Sequence, residues 1–112
     1  MADKASARIA ALNDQFRKKP LRGHGKIVMT QAVHALGADF ALSALAAIAA
    51  FDAFTTDNDP YGEHDFSIVS VDDTKLYWKI DYYNPAMTGG SEDPSDPAVT
   101  LRITTIMLPE DY

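Results

Sequence analysis

The run from Phe40 to Phe51, bounded by Asp39 and Asp52 and free of any charged residue, constrains this chain more than any other segment. It falls short of the roughly 20 apolar residues that cross a bilayer, so it predicts a buried helix and no membrane anchor. Ala41, Ala44, Ala46, Ala47, Ala49 and Ala50 give it high helix propensity. Phe40, Leu42, Leu45, Ile48, Phe51 and Phe54 surround its axis widely, the pattern of a helix set within a core. Asp39 is placed to cap its start, and the turn-forming run from Thr55 to Gly62 ends it.

The remaining elements arrange themselves around that helix. Ile9, Leu12 and Phe16 recur at helical spacing and predict a first helix over 5–16. Pro20, Gly23 and Gly25 break the pattern, and Lys26 to Ala32 reads as a first strand followed by a connection from Val33 to Gly37. Asp65 to Val71 and Lys75 to Tyr83 alternate as strands, with Asp72, Asp73 and Thr74 as the hairpin turn. In the second of these, Trp78, Ile80 and Tyr82 share one face, opposite Tyr77, Lys79, Asp81 and Tyr83. A polar loop from Asn84 to Pro97 leads to a last strand from Val99 to Met107. The expectation is one α+β domain over residues 1–112: an antiparallel sheet of about four strands with two helices packed on one face.

A content of 46% hydrophobic and 23% charged residues in 112 suits one globular core and excludes a disordered chain. The absence of cysteine excludes disulfides, thiolate nucleophiles and thiolate metal sites. Charges at Asp3, Lys4 and Arg8 stand where a secretory signal needs an apolar run, and a cytoplasmic location is expected. Charge is unevenly spread: residues 1–37 hold seven basic residues against two acids, a net of +5, and the rest of the chain nets −11. An acidic face of that kind repels nucleic acid and attracts a basic partner.

Several segments carry a wider resemblance. The runs Leu12 to Arg17, Val28 to Thr30, Ala35 to Gly37, Phe51 to Phe54, Asn58 to Phe66, Trp78 to Tyr83, Asp93 to Pro97 and Thr105 to Leu108 resemble the bacterial family catalogued as domain of unknown function 3768. Asn58 to Phe66 and Trp78 to Tyr83 are its most specific parts. The resemblance implies a small standalone protein of a family described as plasmid-related. It implies no activity, cofactor or catalytic residue.

The densest polar cluster is Asp57, Asn58, Asp59, Glu63, His64 and Asp65. An EF-hand is excluded, because Tyr61 and Ile68 stand where an oxygen ligand and the bidentate glutamate belong. Asp57 and Asp59 read as turn residues that bond backbone amides, and Glu63 and His64 as solvent-facing. His64 could act as a general base oriented by a carboxylate, with Asp81 or Asp52 as partner. Arg22 to Lys26 lacks the glycine spacing and the hydroxyl residue of a phosphate loop and reads as a basic turn. Asp81, within a β-rich run, needs a partner such as Arg102 or Lys79. The candidate binding or site residues are therefore Asp59, Glu63, His64, Asp65 and Asp81, with no metal and no cofactor. The expected partner is another protein, with neither nucleic acid nor membrane. The functional expectation is a non-catalytic interaction module, encoded on a mobile element and antagonising a host or defence system through an acidic surface. The alternative is a small hydrolase-like enzyme using His64 with nearby carboxylates.

Overall fold

The computed structural model describes residues 4–19 and 25–112. Helix α1 spans Lys4–Lys18, strand β1 Gly25–Met29, the single-turn helix α2 Gln31–His34 and helix α3 Ala38–Ala50. Strands β2 (Phe66–Val71), β3 (Thr74–Tyr83) and β4 (Leu101–Met107) follow, with 3-10 turns at Pro97–Val99 and Pro109–Asp111. The architecture is α+β, with three helices and a four-stranded sheet in the order β1-β4-β3-β2.

The sheet is mixed, which corrects the antiparallel expectation. β2 and β3 form a hairpin and β3 pairs antiparallel with β4, but β1 lies parallel to β4. Alternation along β1 is the same for either direction, and a parallel partner only requires a long crossover, here the whole chain from α2 to β3. The hairpin turn is tight: Asp72 and Asp73 both take positive φ (49° and 63°), the left-handed pair that suits the twist of a two-residue connection.

β1 stops at Met29, eight residues before Gly37 caps the long helix at φ 98°. Thr30 closes the strand, donating its amide to the Ile106 carbonyl, and opens α2 by accepting the Val33 amide on Oγ1. The expected strand to Ala32 therefore ends early, and the expected connection contains a helical turn. Gly37, and not Asp39, is the N-cap of α3; Asp39 lies in the first turn, where a carboxylate complements the amino end of the helix dipole.

The inward rows of the sheet carry Val69 and Val71 of β2, Leu76, Trp78 and Ile80 of β3, and Ile106 of β4. Phe16 of α1, Val33 of α2, and Phe40, Ala44 and Ile48 of α3 close over them. α3 is less enclosed than its composition suggests, since Leu42 is 65% exposed. Gly25 at the start of β1 is required by packing: a Cβ there would collide with the Arg102 carbonyl oxygen and the Phe16 ring. The basic turn expected at Arg22 to Lys26 lies mostly outside the described residues, Gly25 and Lys26 excepted. Among the described residues no helix is long and apolar enough to cross a membrane.

Candidate functional site

The loop of residues 51–65 is organised by its short polar side chains. Asn58 Oδ1 accepts the Thr55 amide at 2.8 Å, Thr55 Oγ1 accepts the Asn58 amide, and Asn58 Nδ2 donates to the Ala53 carbonyl. Asn58, flanked by an exposed Asp57, thus closes the turn. Asp59 is buried, and its carboxylate accepts the amides of Glu63 and His64 at about the same reach, 3.2 Å for Glu63. That bond pair holds His64 at φ 56°, a left-handed backbone unusual for a non-glycine residue.

The bent loop lays the His64 ring flat on Phe54, with centroids 3.9 Å apart and planes within 3°. Nδ1 lies 3.0 Å from both oxygens of Asp14 on α1, and Nε2 lies 3.7 Å from Asp59 Oδ2. The carboxylate partners of His64 are therefore Asp14 and Asp59, neither Asp81 nor Asp52. Asp14 also accepts Nε and Nη2 of Arg17. Arg17 reaches on to the carbonyls of Ile48 and Ala49 at the carboxyl end of α3, and its guanidinium sits 5.3 Å from the Phe54 centroid.

A second buried set adjoins the first. Asn13 is fully buried and uses both ends of its amide: Nδ2 donates to the Glu63 carbonyl and the Tyr82 hydroxyl, and Oδ1 accepts Nε of Arg102 at 2.6 Å. Tyr82 donates its hydroxyl proton to Glu63 Oε1 at 2.9 Å, and Arg102 Nη2 donates to the Pro94 carbonyl. Burial, chiefly, raises the Tyr82 phenol above its ordinary range and lowers the Arg102 guanidinium below its own. Asp65 is pushed up to about 6, by burial first and then by the charges of Glu63, Asp59 and Asp81.

Asp59, Glu63, His64 and Asp65 are thus brought together, and Glu63 and His64 are tied inward instead of facing solvent freely. Asp81 stands apart. It lies on the outward row of β3, paired with Lys79 at 3.2 Å, and both side chains are more than 40% exposed. Its partner is Lys79 and the pair is at the surface, whereas Arg102 serves Asn13. Among the described residues no group of three or more His, Asp or Glu side chains is placed to hold a metal ion.

The side chains that complete the cluster, Asn13, Asp14, Arg17, Tyr82 and Arg102, are absent from the sequence-derived candidates. A signal for two of them exists. Asn13 and Arg17 stand i, i+4 on the same helix stripe as Ile9 and Phe16, so a polar pair interrupts the buried face. The cluster holds α1 and the loop of residues 51–65 to the sheet, and its donors and acceptors answer one another.

No curated protein and no solved structure matches the chain. The family described as "Protein of unknown function (DUF3768)" matches residues 29–111, from the end of β1 to the final turn, with α1 outside the matched span. On that match, which covers most of its length, the chain belongs to this family of unknown function.

Proposed function

We propose that the chain is a non-catalytic protein-interaction module that offers an acidic end to a basic partner. One observation carries this reading. Loop 51–65 enters β2, and loop 84–100 joins the end of β3 to the start of β4, so both emerge at the same end of the sheet. Asp52, Asp57, Glu92 and Asp93 are exposed there, beside the half-buried Glu63, Asp65 and Asp96. A concentration of one sign of charge steers an oppositely charged protein and raises its association rate. Antagonism of a host or defence system from a mobile element is the sharper form of this proposal, and its support is the family resemblance alone.

The test is an affinity capture from the native host with the intact chain and with a variant carrying Asp52→Asn, Asp57→Asn, Glu92→Gln and Asp93→Asn. A basic protein retained at low salt, released by added salt and lost with the variant is the expected result. Equal capture by both chains would sink the proposal.

The enzyme alternative has one observation in its favour, the Nδ1 contact of His64 with Asp14, since a carboxylate in that place orients a general base. Against it, Nε2, the nitrogen left to act, faces the buried Asp59, and Phe54 covers one side of the ring. Hydrolysis of activated esters by the intact chain, abolished by His64→Asn, would favour it over the binding reading.

A further inference from the structure

Among the described residues two arginines are buried, Arg17 and Arg102, and they differ in what balances their charge. Arg17 is paired with Asp14 at 2.9 Å. Arg102, on the inward row of β4, is 4% exposed, yet its bonds go to neutral acceptors, Nε to Asn13 Oδ1 and Nη2 to the Pro94 carbonyl, with the Tyr82 ring 5.3 Å from its guanidinium carbon. Nη1 takes no part in those bonds. Among the described residues no carboxylate stands within ion-pair distance of Arg102. Arginine is seldom buried without a counter-charge, because the loss of hydration is recovered chiefly through pairing.

The surroundings add positive charge. The side-chain charges that act on the guanidinium are those of Arg8 and Glu63, apart from Tyr82. Glu63 lies beyond Tyr82, whose hydroxyl proton its Oε1 accepts. Arg8 is exposed on α1 and enters no ion pair among the described residues. Asp93 and Asp96 flank Pro94, but their carboxylates serve their own loop, one bonded to Ser95 and the other to the Ala98 amide. Thr104, the next inward residue of β4, is buried as well, and its hydroxyl meets no partner. Two guanidiniums thus stand against one engaged carboxylate, with donor capacity left over.

We propose that Arg102 and Arg8 form a binding site for a phosphate group. Arg102 donates through Nη1 from within the fold, fixed by Asn13 and Pro94, and Arg8 donates from the solvent side. Guanidinium donors match the oxygens of phosphate, and two of them call for a doubly charged anion over a singly charged carboxylate. Glu63, Asp93 and Asp96 oppose any anion at longer range, which sets the affinity in the millimolar range. The site does not depend on the basic partner proposed above, and the acidic side chains neutralised in that test are not among its donors.

The experiment is a titration of the intact, isotope-labelled chain with inorganic phosphate, at a slightly alkaline pH that favours the dianion and at fixed ionic strength. The arginine Nε–H signals are followed by nuclear magnetic resonance. A saturable shift of the Arg102 signal is expected, with none at the anion-paired Arg17 and none from chloride or acetate. Arg8→Gln, at an exposed position, should keep the urea midpoint and weaken binding by about tenfold, and Arg102→Lys should weaken it at least as much. Phenyl phosphate distinguishes the sources: saturation like that of phosphate assigns a phosphorylated molecule, and its loss assigns the free ion. The absence of a saturable shift at millimolar phosphate overturns the proposal. So does an affinity that Arg8→Gln leaves unchanged, or acetate binding that equals that of phosphate.

Discussion

Arg17 Nη1 donates to the carbonyl oxygen of Ile48 at 2.6 Å, so the carboxyl end of α3 is closed by a side chain from α1. α3 has no basic residue in its own last turn. The guanidinium supplies from outside the positive charge that a helix terminus favours, and Asp14 neutralises it on the other side. The first and third helices are thereby joined through one buried fork of donors.

Replacing Arg17 leaves two helix-end carbonyls and a half-buried carboxylate without their partner. Arg17→Met should cost about 3 kcal/mol in urea unfolding, because unpaired buried polar groups retain their desolvation penalty. Arg17→Lys should recover less than half of that, since an ammonium cannot serve the carbonyls and Asp14 from one plane. Full recovery by lysine would contradict the fork geometry.

Asp57 and Asp59 separate what the sequence treats alike. Asp59→Ala removes the acceptor for two loop amides and releases the left-handed His64, so a loss of about 1–3 kcal/mol is expected. Asp57 is exposed, and Asp57→Ala should stay within about 0.5 kcal/mol of the parent. Chemical denaturation of the two variants side by side decides it.

Asp65 gives a pH dependence of defined sign. Its carboxyl is raised from 3.8 to about 6 in the folded chain, so the native state holds the proton more tightly than the unfolded state does. Its ionisation is therefore a cost to folding that is absent below the ordinary value and fully present above the raised one. Asp65→Asn should be more stable than the parent at neutral pH, with the advantage fading as pH falls through that window. Urea midpoints of both chains across the acid range measure it. An advantage that grows toward low pH contradicts the assignment.

Tyr82 and Asn13 should be energetically coupled. Tyr82→Phe removes an acceptor from the fully buried Asn13 amide and a donor from Glu63, and should cost about 1–2 kcal/mol. In a double-mutant cycle with Asn13→Leu the two losses should fall short of additive by about 1 kcal/mol, as expected of groups in one network. Simple additivity would show that the groups act separately.

The parts of the fold that were legible in the sequence are those written in local pattern. The alternation that set Trp78, Ile80 and Tyr82 on one face placed the inward row of β3, and the run Asp72-Asp73-Thr74 placed the turn, of which Thr74 already belongs to the strand. Thr30 was misread because it is both a good strand former and a good helix cap, and only the neighbouring Ile106 carbonyl decides between them. The partner of His64 was illegible for a different reason. Asp14 lies fifty residues earlier, on a helix whose rotation is fixed by packing, and no local spacing encodes that meeting. Asn13 and Arg17 resemble solvent-facing residues by type, and the sequence signals their burial through their place on the stripe of Ile9 and Phe16, while the carbonyls and side chains they serve show only in the fold.

The order of strands has a consequence for how the protein is made. β4 sits between β1 and β3 but is synthesised last of the four. On the ribosome the β2–β3 hairpin can form as soon as Tyr83 has emerged, because its contacts are local. β1 has no strand to join until Met107 is available, and its parallel register must then be found across most of the chain. Until that moment Ile27 and Met29 lack the partner strand that completes their side of the core. The nascent chain therefore waits with an incomplete core, the interval in which aggregation competes with folding and a chaperone can act.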